Sequence, residues 1–271
     1  MTDFSLADDL SLALALAAEA DLVSFDRYSA LDLVVTTKAD HTPVTDADRA
    51  VERLIRERIE SARPRDTILG EEYGGGREPG RQWIIDPIDG TANYLRHVPI
   101  WGTLIALAID GVPVLGVVSS PSLGRRWWGA KGLGAFTAPT PHEATGDEPM
   151  PLRVSGVADL AEASLSYNSL RSWDDEGRLD DVVALSRGVC RSRAIGDMWS
   201  YMLLAEGALD VVGEFDLKPY DMAALIPIIE EAGGRFTSVD GEDGPWHGSA
   251  LATNGVLHEA TLAVLRGEAR G

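Results

Sequence analysis

The sequence predicts a mixed α/β protein. Apolar residues recur at helical spacing in some segments and form short β-branched runs in others, and the two kinds of segment alternate in the second half. Taken in order, Leu6, Leu10, Ala13, Leu14 and Ala17 mark a first helix, with Ser5 and Asp8 resembling an N-terminal cap. Ser29 to Thr42 is polar and irregular and includes Lys38. Thr45 then caps a second helix, whose Ala47, Ala50, Val51, Leu54, Ile55 and Ile59 share a face until Pro64 ends it. Trp83-Ile84-Ile85 reads as a buried strand that stops at Pro87. Leu104 to Ala108 and Val114 to Ser119 read as strands around an Asp110-Gly111 turn, and Arg126 to Ala130 as another.

Residues 137 to 150 are rich in Pro, Thr, Gly and acid without periodicity. They are expected to form a surface loop dividing an N-terminal half, 1–138, from a C-terminal half, 139–271, of one domain. Beyond it the pattern predicts a helix from Asp197 to Glu206, a strand from Ala208 to Val212, and a helix from Met222 to Ala232. Gly233-Gly234 terminates that helix, and Arg235 to Ser238 follows as a strand.

The chemistry concentrates in Trp83-Ile84-Ile85-Asp86-Pro87-Ile88-Asp89-Gly90-Thr91-Ala92-Asn93. Two aspartates bracket Pro87 at a strand end, and like charges held that close are costly unless a cation neutralises them. Hard oxygen donors select Mg²⁺, Mn²⁺ or Ca²⁺ over zinc. Gly90-Thr91 then offers backbone N–H groups and a hydroxyl where an anion could dock.

Bulk properties narrow the choice. The net charge of −19 over 271 residues argues against nucleic acid and anionic membranes, which both need basic patches. Cys190 is the only cysteine, so there is neither an intrachain disulfide nor a cysteine metal cluster. The five histidines show no ligand spacing, which disfavours zinc. The apolar stretch Leu10 to Ala18 lies between Asp8, Asp9, Glu19 and Asp21 and lacks a basic leader, so it does not read as a signal peptide. No run has the length of a membrane span, and the cytoplasm is the expected location.

Three acidic motifs in order complete the pattern: Gly70-Glu71-Glu72, then Asp86-Pro87-Ile88-Asp89-Gly90-Thr91, then Asp221-Met222-Ala223-Ala224. Together they resemble the inositol-monophosphatase-like superfamily of metal-dependent phosphatases, from Val44-Thr45-Asp46 to Gly233-Gly234. Leu31-Asp32-Leu33, the stretch from Thr42 to Glu52, Arg125-Arg126-Trp127-Trp128 and the stretch from Arg191 to Asp197 are similar to its bacterial histidinol-phosphate phosphatase branch. The resemblance implies a layered α-β-α-β-α sandwich, commonly dimeric, acting on a small phosphorylated metabolite. The reaction it implies is hydrolysis of a phosphomonoester by water without a covalent phosphoenzyme.

Carried over to this chain, the resemblance makes Glu71, Asp86 and the Ile88 carbonyl ligands of one Mg²⁺, and Asp86, Asp89 and Asp221 ligands of a second. A third ion can arrive with substrate, and Mn²⁺ can substitute. Glu71 and Thr91 would orient the attacking water, with Asp46 hydrogen-bonding Thr91. Backbone N–H groups of Gly90 and Thr91 would hold phosphoryl oxygens. Asp197 and Glu214 match positions near the leaving-group pocket, where a carboxylate such as Asp197 complements the ammonium of histidinol phosphate. Glu72 is expected to be a neighbour rather than a ligand. Two departures stand out: Tyr220 where Trp is frequent, and Ala92 where many relatives of the branch carry Lys. The competing expectations are an inositol-1-phosphatase or a relaxed phosphatase of the same chemistry, and more remotely a non-catalytic metal-binding regulator.

Overall fold

In the computed structural model, residues 4–30, 32–37, 43–140 and 148–268 are described. Leu31, Lys38, Thr42 and the centre of the expected 137–150 loop lie outside them. Ser5 and Asp8 exchange hydrogen bonds in a capping box that opens α1 (Leu6–Tyr28). The helix runs well past Ala17 because Ala20, Asp21 and Ser24 continue its buried stripe, with Asp21 paired to Arg126 at 2.6 Å. The polar stretch after it is not wholly irregular, since β1 (Val35–Thr37) pairs antiparallel with β2 (Pro43–Thr45). Thr45 caps α2 (Asp46–Ala62) through its hydroxyl, and the chain leaves the helix just before Pro64.

A seven-stranded sheet follows in simple chain order: β3 (Thr67–Gly70), β4 (Arg81–Asp89), β5 (Gly102–Ile109), β6 (Val112–Ser120), β7 (Arg125–Ala130), β8 (Gly134–Pro139) and β9 (Met150–Pro151). Only β3 and β4 are parallel neighbours. The short helix α3 (Thr91–Tyr94) lies between β4 and β5. Asp110 and Gly111 both take positive φ, 52° and 83°, in the tight turn between β5 and β6.

The remaining elements are β10 (Ser164–Ser166), α4 (Leu170–Asp175), α5 (Leu179–Gly188), β11 (Arg191–Arg193), α6 (Asp197–Ala205), β12 (Val211–Phe215), α7 (Pro219–Met222), α8 (Leu225–Glu231), β13 (Arg235–Thr237), β14 (Ser249–Thr253) and α9 (His258–Leu265). Their strands form a second sheet in the order β11-β10-β12-β14-β13. β12 begins later than the apolar run suggests. Gly207 turns the chain at φ 77°, and the Asp210 carboxylate accepts the Ser164 N–H at 2.7 Å, so Ala208 to Asp210 form a corner. The helix expected over Met222 to Ala232 is divided into α7 and α8.

Alternate residues of β4 face different layers, which explains why its run is apolar throughout. Trp83 and Ile85 pack with Val51, Ile55 and Leu16 of α1 and α2. Ile84 packs with Met198, Tyr201 and Ile228 of α6 and α8, which lie between the two sheets. Trp173, Val182, Leu185 and Leu262 of α4, α5 and α9 cover the outer face of the second sheet. The result is the five-layered α-β-α-β-α sandwich.

The central layer sits tight against the first sheet. A Cβ on Gly116 would stand 1.9 Å from the Ala224 carbonyl oxygen, so β6 can approach the start of α8 only through a glycine. Gly116→Ala is expected to destabilise the fold by about 3 kcal/mol through overpacking, read as a lowered Tm in thermal unfolding. An unchanged Tm would refute that packing.

Candidate metal centre and substrate pocket

A β-bulge sets the centre. On β4 Asp86 pairs with Leu104 of β5 and Asp89 with Gly102, so three residue steps on β4 oppose two on β5. In a regular strand, residues three apart point to opposite faces. The extra residue at Pro87, which has no N–H to give to the ladder, removes that alternation and brings both carboxylates to one side. The turn is held by the Ile88 N–H donating to Asp86 Oδ1 at 3.0 Å and the Thr103 hydroxyl donating to the Pro87 carbonyl at 2.8 Å.

The parallel pairing of β3 with β4 delivers Glu71. Gly70 is in register with Ile85, and the Glu71 N–H donates to the Ile85 carbonyl at 3.2 Å, so Glu71 emerges beside Asp86. From the other half of the chain α7 brings Asp221, whose carboxylate accepts the Lys218 N–H at 2.6 Å. Ligand oxygens of Asp86, Asp89 and Asp221 all lie within 4.8 Å of one another. Asp48, Glu71 and Glu72 form a second such group, so Glu72 stands closer to the centre than a solvated neighbour would.

Burial, followed by the charges of Glu71, Asp89 and Asp221, pushes Asp86 well above the usual carboxylate range. Asp89 is pushed up likewise by burial and by Asp197 and Asp221. Burial raises Asp221 to about 7 against the opposing Lys218 N–H bond. The Lys218 ammonium lies 3.6 Å from Asp216, and its charge also opposes the rise of Asp221. Converging, sheltered, oxygen-only donors that raise one another's proton affinity are what a hard divalent cation requires, so the residues fit Mg²⁺ or Mn²⁺.

Thr91 opens α3 directly after Gly90, which turns the chain at φ 81°. Its hydroxyl lies 3.0 Å from the Ile88 carbonyl and 3.3 Å from Asp48 Oδ1. The aspartate serving Thr91 is therefore Asp48 and not Asp46, which corrects the sequence expectation. Asp46 is the first helical residue of α2 and turns away to pair with Arg27 at 2.7 Å. Asp48, two residues on, is the third residue of the helix and folds back to the Thr45 cap, which brings it inside. The Thr-x-x-Asp capping spacing was the available signal.

Asp197 and Glu214 both reach the cluster, since each adds to the charge felt by Asp89. Asp197 begins α6 with the left-handed φ of 48°, and the Asn93 side-chain amide donates to its carboxylate at 2.5 Å. The next residue, Met198, donates its N–H to Asp89 Oδ2 at 2.7 Å. Glu214 on β12 is engaged by the Asn168 amide and, at 2.7 Å, by the Tyr201 hydroxyl; burial raises it to about 8. Asn168 and Tyr201 carry no motif of their own, and Asn93 closes the Asp-rich stretch without a role that its spacing assigns.

This fold and this constellation match a known class. The chain belongs to the inositol monophosphatase family, whose model matches residues 6–269. Among its relatives, histidinol-phosphatase of Mycobacterium tuberculosis is 53% identical over 259 residues, covering 95% of this chain and 98% of its own. Histidinol-phosphatase of Streptomyces coelicolor is 51% identical over 262 residues, covering 95% and 97%. The inositol monophosphatase of Zymomonas mobilis superposes with a TM-score of 0.83 at 32% identity, over 97% of this chain and 100% of its own.

The elevated carboxyls make the metal-free protein sensitive to alkali. The folded chain retains protons on Asp221 and Glu214 that the unfolded chain has already released, so stability falls as pH rises from their ordinary range near 4, and the loss is complete once pH has passed about 7 to 8. Buried His258 acts with the opposite sign. It is held near 4, so its contribution is lost only as pH falls below about 6.5. Thermal unfolding in excess chelator should therefore show Tm dropping between about pH 6.5 and 8.5, and Mg²⁺ should abolish the drop. A Tm rising over that interval would contradict the charge cluster.

Proposed function

We propose that the protein is a Mg²⁺-dependent phosphomonoester hydrolase that converts L-histidinol phosphate to L-histidinol and phosphate in histidine biosynthesis. One observation supports the chemistry above all: buried Asp86 and half-buried Asp89 and Asp221 converge within 4.8 Å beside Glu71, at the foot of the Gly90-Thr91 turn. The substrate assignment draws on the 53% and 51% identity to the two histidinol-phosphatases.

Glu71, Asp86 and the Ile88 carbonyl would hold one Mg²⁺, and Asp86, Asp89 and Asp221 a second, with Mn²⁺ able to substitute. When bound there, such ions supply charge neutralisation for the ester dianion and Lewis-acid activation of water. The chain's own groups do the rest. Thr91, whose one hydroxyl proton has the Ile88 carbonyl and Asp48 as alternative acceptors, would keep a lone pair for the attacking water. Glu71 would take the proton which that water loses as its oxygen bonds to phosphorus and the ester P–O bond breaks, and the departing alkoxide would take its proton from solvent. Gly90 and Thr91 would present backbone N–H groups to the phosphoryl oxygens.

Asp197 is the candidate for binding the substrate ammonium. One of its oxygens is occupied by Asn93, which leaves acceptor capacity for a cation. Apart from the enzyme chemistry, we infer a homodimer in the cytoplasm. Among the described residues no helix is long and apolar enough to cross a membrane.

Phosphate release across histidinol phosphate, inositol-1-phosphate, a bisphosphorylated nucleotide and fructose-1,6-bisphosphate tests the substrate. Histidinol phosphate should show the highest kcat/KM; preference for the cyclitol would favour an inositol-1-phosphatase. Asp197→Ala should raise KM for histidinol phosphate about 10- to 100-fold, the worth of one charge-assisted bond, with little effect on a neutral-alcohol phosphate. Equal losses on both would end the ammonium assignment. Asp86→Asn should abolish both turnover and calorimetric uptake of Mg²⁺ while the chain stays folded.

A further inference from the structure

We propose that Glu52 is a positioning residue for the reaction, acting through the turn that presents Glu71. The inference rests on the phosphatase reading of the site.

Asp48, Glu52 and Arg56 follow one another at intervals of four along α2, so they share one helix face. Asp48 touches Thr91. Glu52, one turn further on, has a side chain fully removed from solvent. Its Oε2 accepts the Glu72 N–H at 2.6 Å, and its Oε1 accepts the Tyr73 N–H at 3.2 Å and Arg56 Nε at 2.7 Å. Arg56 continues the clamp, donating through Nη2 to the Gly74 carbonyl at 2.7 Å and lying over the Tyr73 ring at 5.8 Å. The two backbone N–H groups that immediately follow Glu71 are thus both fastened to one buried carboxylate.

The other side of the turn is secured by the sheet, through Glu71 N–H to the Ile85 carbonyl and Gly70 N–H to the Gly74 carbonyl. Gly70 leaves the room that Glu52 occupies, since a Cβ there would stand 1.9 Å from Glu52 Oε1. A fully buried carboxylate is a costly way to plug a helix–turn contact, where an apolar side chain would pack without desolvating a charge. What it supplies is direction. Two N–H bonds from consecutive peptides fix the turn's rotation about the strand axis, and with it the aim of Glu71 at Asp86 and its distance from Thr91. A single helix face therefore sets both groups that would orient the water, Thr91 through Asp48 and Glu71 through Glu52.

The test compares Glu52→Gln with Ile55→Val. Glutamine keeps the volume of Glu52 but turns an NH₂ toward one of the donors, whereas Ile55 packs on α1 and the sheet and touches none of the clamp. Calorimetric titration with Mn²⁺ and steady-state hydrolysis of a simple phosphomonoester are measured on both. Glu52→Gln should weaken Mn²⁺ binding about 10- to 100-fold, the range for groups supporting metal ligands, and lower kcat at saturating Mn²⁺ with KM little changed. Ile55→Val should lower Tm and leave Mn²⁺ affinity and kcat alone. Should Glu52→Gln fail to fold, Gly70→Ala displaces the same carboxylate from the opposite side and should give the same losses. Unaltered Mn²⁺ affinity and kcat in Glu52→Gln, or equal losses in Ile55→Val, would overturn the proposal. A wild-type chain that takes up no Mn²⁺ would instead remove the phosphatase reading on which it stands.

Discussion

Mutual repulsion among Asp86, Asp89, Asp221 and Glu71 is the constraint around which the rest of this molecule is arranged. Left to themselves, side chains of one sign separate or take up protons, and here burial and neighbouring charge drive Asp86 and Asp89 far above their ordinary proton affinity. The scaffold resists separation with backbone devices that cannot yield cheaply. They are a bulge at Pro87, a parallel strand pair that carries Glu71 alongside, and the short helix α7 delivering Asp221 from the second half. The strain built in by this arrangement is the same quantity that a divalent cation would relieve.

The sandwich converts that local constraint into a global one. Asp86 and Asp89 lie at the end of an enclosed strand of the first sheet, while Asp221 precedes α8, the helix pressed between the two sheets. The close approach at Gly116 sets how deeply α8 sits, and so where Asp221 arrives. Met198 ties the start of α6 to Asp89, so the residue that would read the substrate, Asp197, is adjacent in sequence to one that supports a candidate metal ligand. Substrate recognition and metal binding would therefore share a frame, and a change in one is expected to be felt by the other.

Much of this was legible in the chain. Asp86, Asp89, Glu71, Asp221 and Thr91 announce themselves because each belongs to a short motif with its own strand end or helix start, and local geometry brings them near the cluster. The helix begun at Thr45 and ended before Pro64 was equally plain, as was the turn at Asp110-Gly111. The failures share a cause. Asp46 and Asp48 both lie in the first turn of α2, and composition cannot say which faces inward; the capping box, which folds Asp48 back on Thr45 and leaves Asp46 to Arg27, decides it. Asn93, Asn168 and Tyr201 act across separations of 104, 46 and 13 residues, and their partners are fixed by how α3, α6 and β12 pack rather than by local pattern. The strand pair β1–β2 was hidden for another reason, since a few residues of polar hairpin carry almost no periodic signal.

By itself, then, the sequence determined the kind of chemistry: hard oxygen donors in three ordered motifs, an acidic chain with a single cysteine, and helices and strands whose limits are set by caps, prolines and glycines. Those are properties of residue type and near-neighbour spacing, which a linear chain states openly. Tertiary structure alone decided which acid serves Thr91, which amides hold Asp197 and Glu214, and why Glu52 is buried. Each of these depends on a direction in space, and direction is set only when sheets, helices and a bulge have fixed the backbone from several sides at once.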